Sequence, residues 1–311
     1  MTVAVWVKVY DGIALATDSA TTLPIPGRTQ VYNNADKIFH LHRGLPIGAM
    51  TWGLGQIGPA SISTVSKSLR LRLMGRDPAY RSWELTDRYT IEEVAQRVAE
   101  MFCDSLIQSG ITDWPGRLGY LITGYSSGCD QPEAWLLEFE GSATSPPVTK
   151  EVAPTGRYGF EAYAQPEAIE RLFNGYDQQL KADLLRNTDP ANHADVEALL
   201  ATHHEVPISV AMPLPDAIAL AKFMVETTSG YRHFNLGPDT VGGPVEVAGI
   251  SLHEGFKWIA RKHYFSTDLN KGELDDQQLR QPPPPPPDVQ RPLRRRPATA
   301  TPRRIAGRRN V

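Results

Sequence analysis

The first eighteen residues have the pattern of two short strands joined by a tight turn. Valine occupies every second position from Val3 to Val9, which is the period of a strand with one buried face. Asp11-Gly12 is a favoured two-residue hairpin loop, and an apolar return strand follows from Ile13 to Asp18. The chain is therefore predicted to begin with a β-hairpin, with Thr2 at its open end.

The predicted loop also fixes a register for the hairpin. A two-residue loop at Asp11-Gly12 places Asp18 opposite Val5. Thr2 then lies opposite Thr21, and Asp18 is three residues, about 10 Å, short of Thr2. A long side chain from an adjacent strand or a β-bulge is needed to close this distance.

The later elements occur in groups rather than in strict alternation. A polar loop containing Pro24, Pro26 and Gly27 follows the hairpin. Further strands are predicted at 37–42, 47–52, 118–124, 134–139, 148–152, 244–250 and 256–260. Helices are predicted at 57–69, 90–103, 166–175, 177–186, 194–200 and 215–228, the last of them ended by Gly230. This order favours two packed sheets covered by helices over a series of βα units.

Charge and proline content divide the chain into two predicted parts. Residues 281–311 hold eight arginines and one acid, whereas residues 1–280 hold 24 basic and 34 acidic residues. An unbroken proline run, Pro282 to Pro287, precedes the arginines and favours an extended backbone. We expect a folded domain at 1–265 and a disordered tail at 266–311. The basic tail is suited to an acidic partner, nucleic acid or the acidic domain itself, although a solvated tail is the simplest interpretation.

Several classes of protein do not fit this composition. No apolar run reaches the roughly 18–20 residues that span a bilayer, so we expect no membrane association. The N-terminus lacks the pattern of a signal peptide. Two cysteines, Cys103 and Cys129, are too few for a disulfide framework or a zinc site, which favours the cytoplasm.

Thr2 is the residue with the most specific chemical potential. If Met1 is removed, Thr2 carries both a hydroxyl nucleophile and a free α-amine, and this amine can act as its base. The α-amine has a pKa of about 7.7–8.0, so part of it is neutral at cellular pH. An ammonium and a carboxylate nearby would support this pair, and Lys37 and Asp18 are the candidates.

Five segments occur in a recognisable order: Thr2-Val-Ala-Val, Asp11-Gly-Ile-Ala-Leu-Ala-Thr-Asp18-Ser, Asp36-Lys37-Ile-Phe, Trp52-Gly53-Leu-Gly55 and Gly242-Gly243-Pro-Val-Glu-Val. Together they resemble proteasome β-type subunits, and in particular bacterial proteasome-like members of the N-terminal nucleophile (Ntn) hydrolase superfamily. The resemblance spans residues 2 to about 262. It implies an α+β fold, a four-layer αββα sandwich, which agrees with the predicted order of elements.

The resemblance also implies roles for individual residues. Thr2 would be the nucleophile, Asp18 and Lys37 its activating pair, and Gly53 the donor of an oxyanion-binding N–H. The implied activity is that of a threonine peptidase or amidase acting on a peptide or protein substrate. No metal or organic cofactor is required, and subunits of this class assemble as homo-oligomers, in rings or open spirals.

Three positions depart from the family pattern. Ala20 stands where an arginine is common, Val241 stands where a serine is expected, and Asp239 is one position from the expected aspartate. An alternative function is therefore open: a catalytically silent proteasome-like subunit or scaffold that recruits partners through its basic tail.

The remaining motifs have structural explanations that compete with functional ones. Gly53, Gly55 and Gly58 form G-x-G-x-x-G after a strand, a dinucleotide-binding pattern, but a tight turn between strand and helix explains them better. His40 and His42 share one face of a strand without a third ligand, which favours paired surface histidines over a metal site. Cys103 lies on an apolar helix face and is predicted to be a core residue.

Overall fold

The structure is a computed structural model that describes residues 2–25, 28–205, 207–236 and 240–262, so the predicted tail lies outside it. The strands are β1 Ala4–Val9, β2 Gly12–Thr17, β3 Thr21–Ile25, β4 Arg28–Tyr32, β5 Ile38–His40, β6 Ile47–Gly53, β7 Gln56–Ile57, β8 Ala60–Ser61, β9 Leu118–Gly124, β10 Glu133–Phe139, β11 Val148–Glu151, β12 Gly159–Tyr163, β13 Glu246–Ser251 and β14 Gly255–Ala260. The α-helices are α1 Ile62–Leu73, α2 Ile91–Gln108, α3 Glu167–Asn174, α4 Gln178–Arg186, α5 His193–Ala201 and α6 Leu214–His233. Short 3₁₀ helices lie at Pro78–Trp83 and Pro190–Asn192.

Two five-stranded antiparallel sheets form the centre of this mixed α/β fold. The first sheet has the strand order β12-β1-β2-β13-β14, and the second has the order β11-β10-β9-β6-β5. The pairs β3-β4 and β7-β8 form separate two-stranded ribbons. The prediction of two sheets rather than a series of βα units is thus confirmed, and the pairing within each sheet is antiparallel.

Three apolar clusters hold these elements together. One joins side chains of the first sheet to side chains of the second, including Trp6, Leu15, Met50 and Leu121. Another joins the second sheet to α1 and α2, including Leu69, Val98, Phe102 and Tyr120. The third joins the first sheet to α3 and α6, including Val5, Ala16, Ile169 and Met224. Burial of each large apolar side chain contributes about 1.5–3 kcal/mol to folding.

Helix α2 shows how the local sequence specifies an element. The Thr90 hydroxyl accepts a hydrogen bond from the Glu93 backbone N–H at 3.0 Å, which satisfies one of the unpaired donors at the helix start. Behind this cap, a helical stripe including Val94, Val98 and Phe102 is fully buried. The predicted N-terminus of this helix is therefore confirmed.

The register predicted for the N-terminal hairpin is wrong. Val9 pairs with Gly12 and Ala4 with Thr17, so the loop is Tyr10-Asp11 rather than Asp11-Gly12. Gly12 belongs to the strand because a Cβ there would lie 2.4 Å from the carbonyl oxygen of Ile250 in the neighbouring strand β13. The glycine thus permits close approach of two strands instead of forming the turn.

Two further predictions, a loop after the hairpin and the start of the first helix, are wrong. The segment predicted as a polar loop with Pro24 forms the β3-β4 ribbon. The helix predicted from Ile57 begins at Ile62, because Gly58 adopts a left-handed φ of +54° in the β7-β8 turn. Ile57 and Ile62 nevertheless pack into the same cluster, which accounts for their helix-like spacing.

The last helix and one edge strand also differ from prediction. Helix α6 continues through Gly230 to His233, since burial of Met224, Val225 and Thr228 outweighs the roughly 1 kcal/mol that glycine costs in a helix. The strand β12 was not predicted, and it pairs with β1 at the edge of the first sheet. Neither α6 nor another helix of the described ranges is long and apolar enough to cross a bilayer.

Candidate active site

Thr2 lies beside the central strands of the first sheet and close to the second. It precedes β1, which is paired with β2 on one side and β12 on the other. Only 3% of Thr2 is exposed to solvent. Its Oγ1 accepts a hydrogen bond of 2.7 Å from the Nζ of Lys37, which immediately precedes β5 in the second sheet. The hydroxyl is thus held by a cation from the opposite sheet.

The Asp18 carboxylate is completely buried and accepts four hydrogen bonds. The observed register brings Asp18 next to Val3, whose carbonyl accepts from the Asp18 N–H at 3.4 Å. The donors to its carboxylate are Val3 N at 3.2 Å and Lys37 Nζ at 2.7 Å on Oδ1, with Ala20 N at 3.0 Å and Gly242 N at 3.1 Å on Oδ2. The predicted gap of about 10 Å between Asp18 and Thr2 is therefore replaced by a compact cluster.

Lys37 connects the other two predicted residues. Its ammonium donates at 2.7 Å to Thr2 Oγ1 and at 2.7 Å to Asp18 Oδ1. Burial lowers the pKa of Lys37 below the usual lysine value, while the Asp18 carboxylate acts in the opposite direction. A buried lysine held in this way can stabilise negative charge that develops on the Thr2 hydroxyl oxygen.

Gly53 ends β6 and lines the same cavity as Thr2 and Lys37. Its φ is +87°, and a Cβ at this position would lie 2.2 Å from the carbonyl oxygen of Arg117. Both the backbone conformation and the lack of space require glycine here.

Gly53→Ala is expected to lower the free energy of unfolding by well over the roughly 1–2 kcal/mol that a left-handed φ costs alone, because the new Cβ also meets the Arg117 carbonyl. Urea unfolding measures this change. Gly110→Ala is the matched control, since Gly110 has a φ of +74° but a Cβ there would meet nothing within 4 Å. Equal losses for the two variants would contradict the steric argument.

The cavity beside Thr2 has a volume of about 430 Å³, within the range of roughly 300–1,000 Å³ typical of small-molecule sites. Its wall combines hydroxyl, amide and apolar groups, including Thr21, Thr51, Trp52, Leu54, Gln56 and Ile62. Trp52 is held by stacking on Tyr163, with ring centroids 4.4 Å apart. Thr2, Lys37 and Gly53 thus line one cavity, and Asp18 lies behind its wall, in contact with Lys37.

The positions that depart from the family pattern have distinct surroundings. Ala20 contributes its backbone N–H to Asp18, a role that does not depend on its side chain. Val241 is buried in the apolar cluster between the first sheet and α6. Thr240 next to it pairs with the buried Gln165 at 3.2 Å. Asp239 lies outside the described residues.

Several residues of the site were not predicted from the sequence. Gly242 donates its N–H to Asp18, and Glu246 accepts from the Lys37 N–H. Lys262, near the end of the described residues, donates to Ser19 Oγ at 2.8 Å. Gly242 and Glu246 both lie in the Gly242-Gly243-Pro-Val-Glu-Val segment, so that segment was a usable signal. Nothing in the sequence pointed to Lys262.

The competing motifs have structural explanations. The glycine motif follows β6, whose neighbours β5 and β9 are both antiparallel to it, so it does not begin a βαβ unit. His40 stacks on Phe256 at 4.4 Å, and burial lowers the pKa of His40 to about 4. Cys103 packs against the apolar cluster that joins the second sheet to α1 and α2, and burial raises the pKa of its thiol. In the described part of the chain, no group of three or more acidic, histidine or cysteine residues could hold a metal ion.

Comparisons with known proteins give limited further information. No protein-family model matches the chain, and no curated protein matches it. Among solved structures, it is similar to Anbu (ancestral beta-subunit) from Yersinia bercovieri, with a TM-score of 0.46 and 14% sequence identity. The match covers 84% of this chain and 88% of that chain. Similarity at this level carries no conclusion about activity.

Proposed function

We propose that this protein is a proteasome-like Ntn hydrolase, a threonine peptidase or amidase that uses Thr2 as its nucleophile after removal of Met1. The observation that carries the proposal is the buried Lys37 ammonium, which donates at 2.7 Å to Thr2 Oγ1 and at 2.7 Å to Asp18 Oδ1. A threonine that only begins a strand does not need a buried ammonium on its hydroxyl or a carboxylate behind that ammonium. Together they activate and orient its hydroxyl beside a cavity.

The three apolar clusters support the fold that goes with this function. Helices α1 and α2 cover the second sheet, the two sheets pack on each other, and α3 and α6 cover the first sheet. This packing order supports the four-layer αββα sandwich that we propose for the chain. Thr2 and Lys37 then meet between the two sheets at one end.

The chemistry follows from the groups at the site. The α-amine of Thr2 accepts the hydroxyl proton as Oγ1 bonds to the amide carbonyl carbon, whose π electrons move to the oxygen. The Gly53 N–H is proposed to bind this oxyanion. The C–N bond breaks as the oxyanion collapses, and the leaving nitrogen takes the proton from the α-ammonium. Water then adds to the acyl ester with the same amine as base, which releases the acid and restores Thr2.

A peptide or protein is the proposed substrate. The cavity beside Thr2 is large enough for a side chain next to the cleaved bond, and its wall offers both polar and apolar groups. A cytoplasmic location is part of the proposal, since Cys103 and Cys129 are both free. Assembly as a homo-oligomer, in a ring or open spiral, also belongs to it, and native mass spectrometry would measure the subunit number.

Intact-mass measurement followed by covalent labelling tests the central claim. We expect the purified chain to lack Met1 and to gain one β-lactone or epoxyketone adduct, which peptide mapping places on Thr2. Thr2→Ala should lose the adduct. Thr21→Ala is the matched control and should keep it, because Thr21 lines the same cavity without a hydrogen bond to Lys37. Retention of Met1 would exclude the proposed mechanism.

A catalytically silent subunit or scaffold is the second candidate function. It is favoured by Val241, which is buried among apolar side chains where the family pattern has serine. A folded chain that lacks Met1 but does not take up either probe would support this alternative. The basic tail at 266–311 would then be tested for binding to an acidic partner.

A further inference from the structure

A second buried ion pair lies directly behind Lys37. Glu246, the first residue of β13, is 1% exposed, and the side chain of Lys262 is 5% exposed. Their charged groups are 3.5 Å apart. Glu246 begins β13 and Lys262 follows β14, and both strands are in the sheet of β1, which follows Thr2. Lys37 instead precedes β5 of the other sheet. Such a pair is expensive to bury and is not explained by the reaction itself.

Glu246 reaches across to the backbone that carries Lys37. Its Oε2 accepts the N–H of Lys37 at 3.0 Å and the N–H of Ile38 at 3.3 Å. The carbonyl of Lys37 accepts from the N–H of Thr51 at 2.9 Å. Both backbone polar groups of Lys37 are thus hydrogen-bonded. The Glu246 carboxylate joins β13 of the first sheet to the backbone at the start of β5 in the second.

Lys262 fixes the other side of the cluster. Its Nζ donates to Ser19 Oγ at 2.8 Å and to the carbonyl of Ala35. Ser19 directly follows Asp18, and its hydroxyl in turn donates to the carbonyl of Pro244. Ala35 lies two residues before Lys37. One ammonium therefore connects the segment that carries the carboxylate to the segment that carries the active lysine.

We propose that Glu246 and Lys262 are positioning residues that hold Lys37 and Asp18 in register and so aim the Lys37 ammonium at Thr2. The inference rests on the proposed function of Thr2. The family pattern has an arginine near Asp18, where this chain has Ala20. On this proposal Lys262, which follows β14 and lies more than 240 residues later in the chain, supplies a cation there instead.

The pair also sets the charge environment of Lys37. The charged groups facing Lys37 are Asp18 after β2, Glu246 on β13 and Lys262 after β14, joined by the α-amine of Thr2 once Met1 is removed. Asp36 beside it is held by Ser63 and Lys67 of α1. Lys262 lowers the pKa of Lys37 and Glu246 raises it. Removal of the Lys262 charge should therefore raise the pKa of Lys37, and removal of the Glu246 charge should lower it.

Two charge-removing variants test the inference through a readout that a purely structural role would not change. In Lys262→Met, the pKa of Lys37 should rise and the pH profile of Thr2 labelling should move to higher pH. In Glu246→Gln, which keeps an acceptor for the two N–H groups, both should move to lower pH. The Lys37 titration is followed by the ¹³Cε shift in lysine-labelled protein, assigned with Lys37→Arg, and does not depend on activity.

Rate measurements add a test of position. Glu246→Ala should slow labelling roughly tenfold or more, since a shift of about 1 Å at a reacting group costs on the order of a hundredfold. Lys262→Arg should restore most of the rate lost in Lys262→Met. Lys222→Met and Glu226→Gln are the controls, because this exposed pair on α6 has the same 3.5 Å separation and lies outside the cluster.

The outcomes separate the inference from the function it rests on. An unlabelled wild-type protein would overturn the proposed function. A wild-type protein that labels normally, with the Lys37 titration and the labelling profile unchanged in both charge-removing variants, would overturn the positioning role alone.

Discussion

Asp18→Asn is expected to abolish labelling of Thr2 and to lower the free energy of unfolding by about 3–5 kcal/mol, the usual cost of breaking a buried ion pair. The carboxylate accepts from Lys37 and Val3 on one oxygen and from Ala20 and Gly242 on the other. Asparagine keeps one oxygen and replaces the other by an NH₂ group. In either orientation, that group faces two donors, which lose their acceptor in a buried site.

Urea unfolding and probe labelling measure the two effects of Asp18→Asn separately. Asp183→Asn is the control, because Asp183 is a solvent-accessible aspartate on α4 that binds Arg186 at the surface. We expect its stability to stay within about 0.5 kcal/mol of the wild type. Full labelling in Asp18→Asn would contradict the proposed role of the carboxylate.

Lys37→Met is expected to slow labelling by roughly 10²–10⁴-fold, the range typical of a positioned group that handles protons or charge. Its effect on stability should be smaller than that of Asp18→Asn. Without the ammonium, Asp18 still accepts three backbone N–H bonds, from Val3, Ala20 and Gly242. The backbone contacts of residue 37 with Glu246 and Thr51 also remain.

The comparison of the two variants is more informative than each alone. A larger loss of stability in Lys37→Met than in Asp18→Asn would contradict the argument that the three backbone N–H bonds to Asp18 stabilise it without the ammonium. Lys181→Met provides the control for loss of a lysine, since Lys181 pairs with Glu197 between α4 and α5 at the surface. It should label at the wild-type rate.

Local sequence patterns predicted those parts of the fold that depend on neighbouring residues. The alternating valines gave β1, and the Thr90 cap with its apolar stripe gave α2. The predicted hairpin register was wrong because Asp11-Gly12 is a strong turn signal only when the glycine is not required by packing against another strand. Here its missing side chain makes room for the Ile250 carbonyl from a strand more than 230 residues away.

The same distinction applies to the site. Thr2, Asp18, Lys37 and Gly53 were named from the sequence, and the structure brings Thr2, Lys37 and Gly53 to one cavity with Asp18 behind it. Glu246 lay in a segment noted for its resemblance but received no role, and nothing in the sequence pointed to Lys262, because both roles arise from contacts between segments far apart in the chain. A buried lysine or glutamate has no periodic pattern that distinguishes it from a surface residue.

The burial of Thr2 has a consequence for biosynthesis. An aminopeptidase must bind the first residues of its substrate in an accessible, extended form, whereas Thr2 is 3% exposed and Val3, directly before β1, is fully buried. If Met1 is removed as proposed, we therefore expect its removal before β1 docks between β2 and β12. On the proposed mechanism, a chain that folds before this step would keep Met1 and stay inactive, so the timing of processing during translation would set the active fraction.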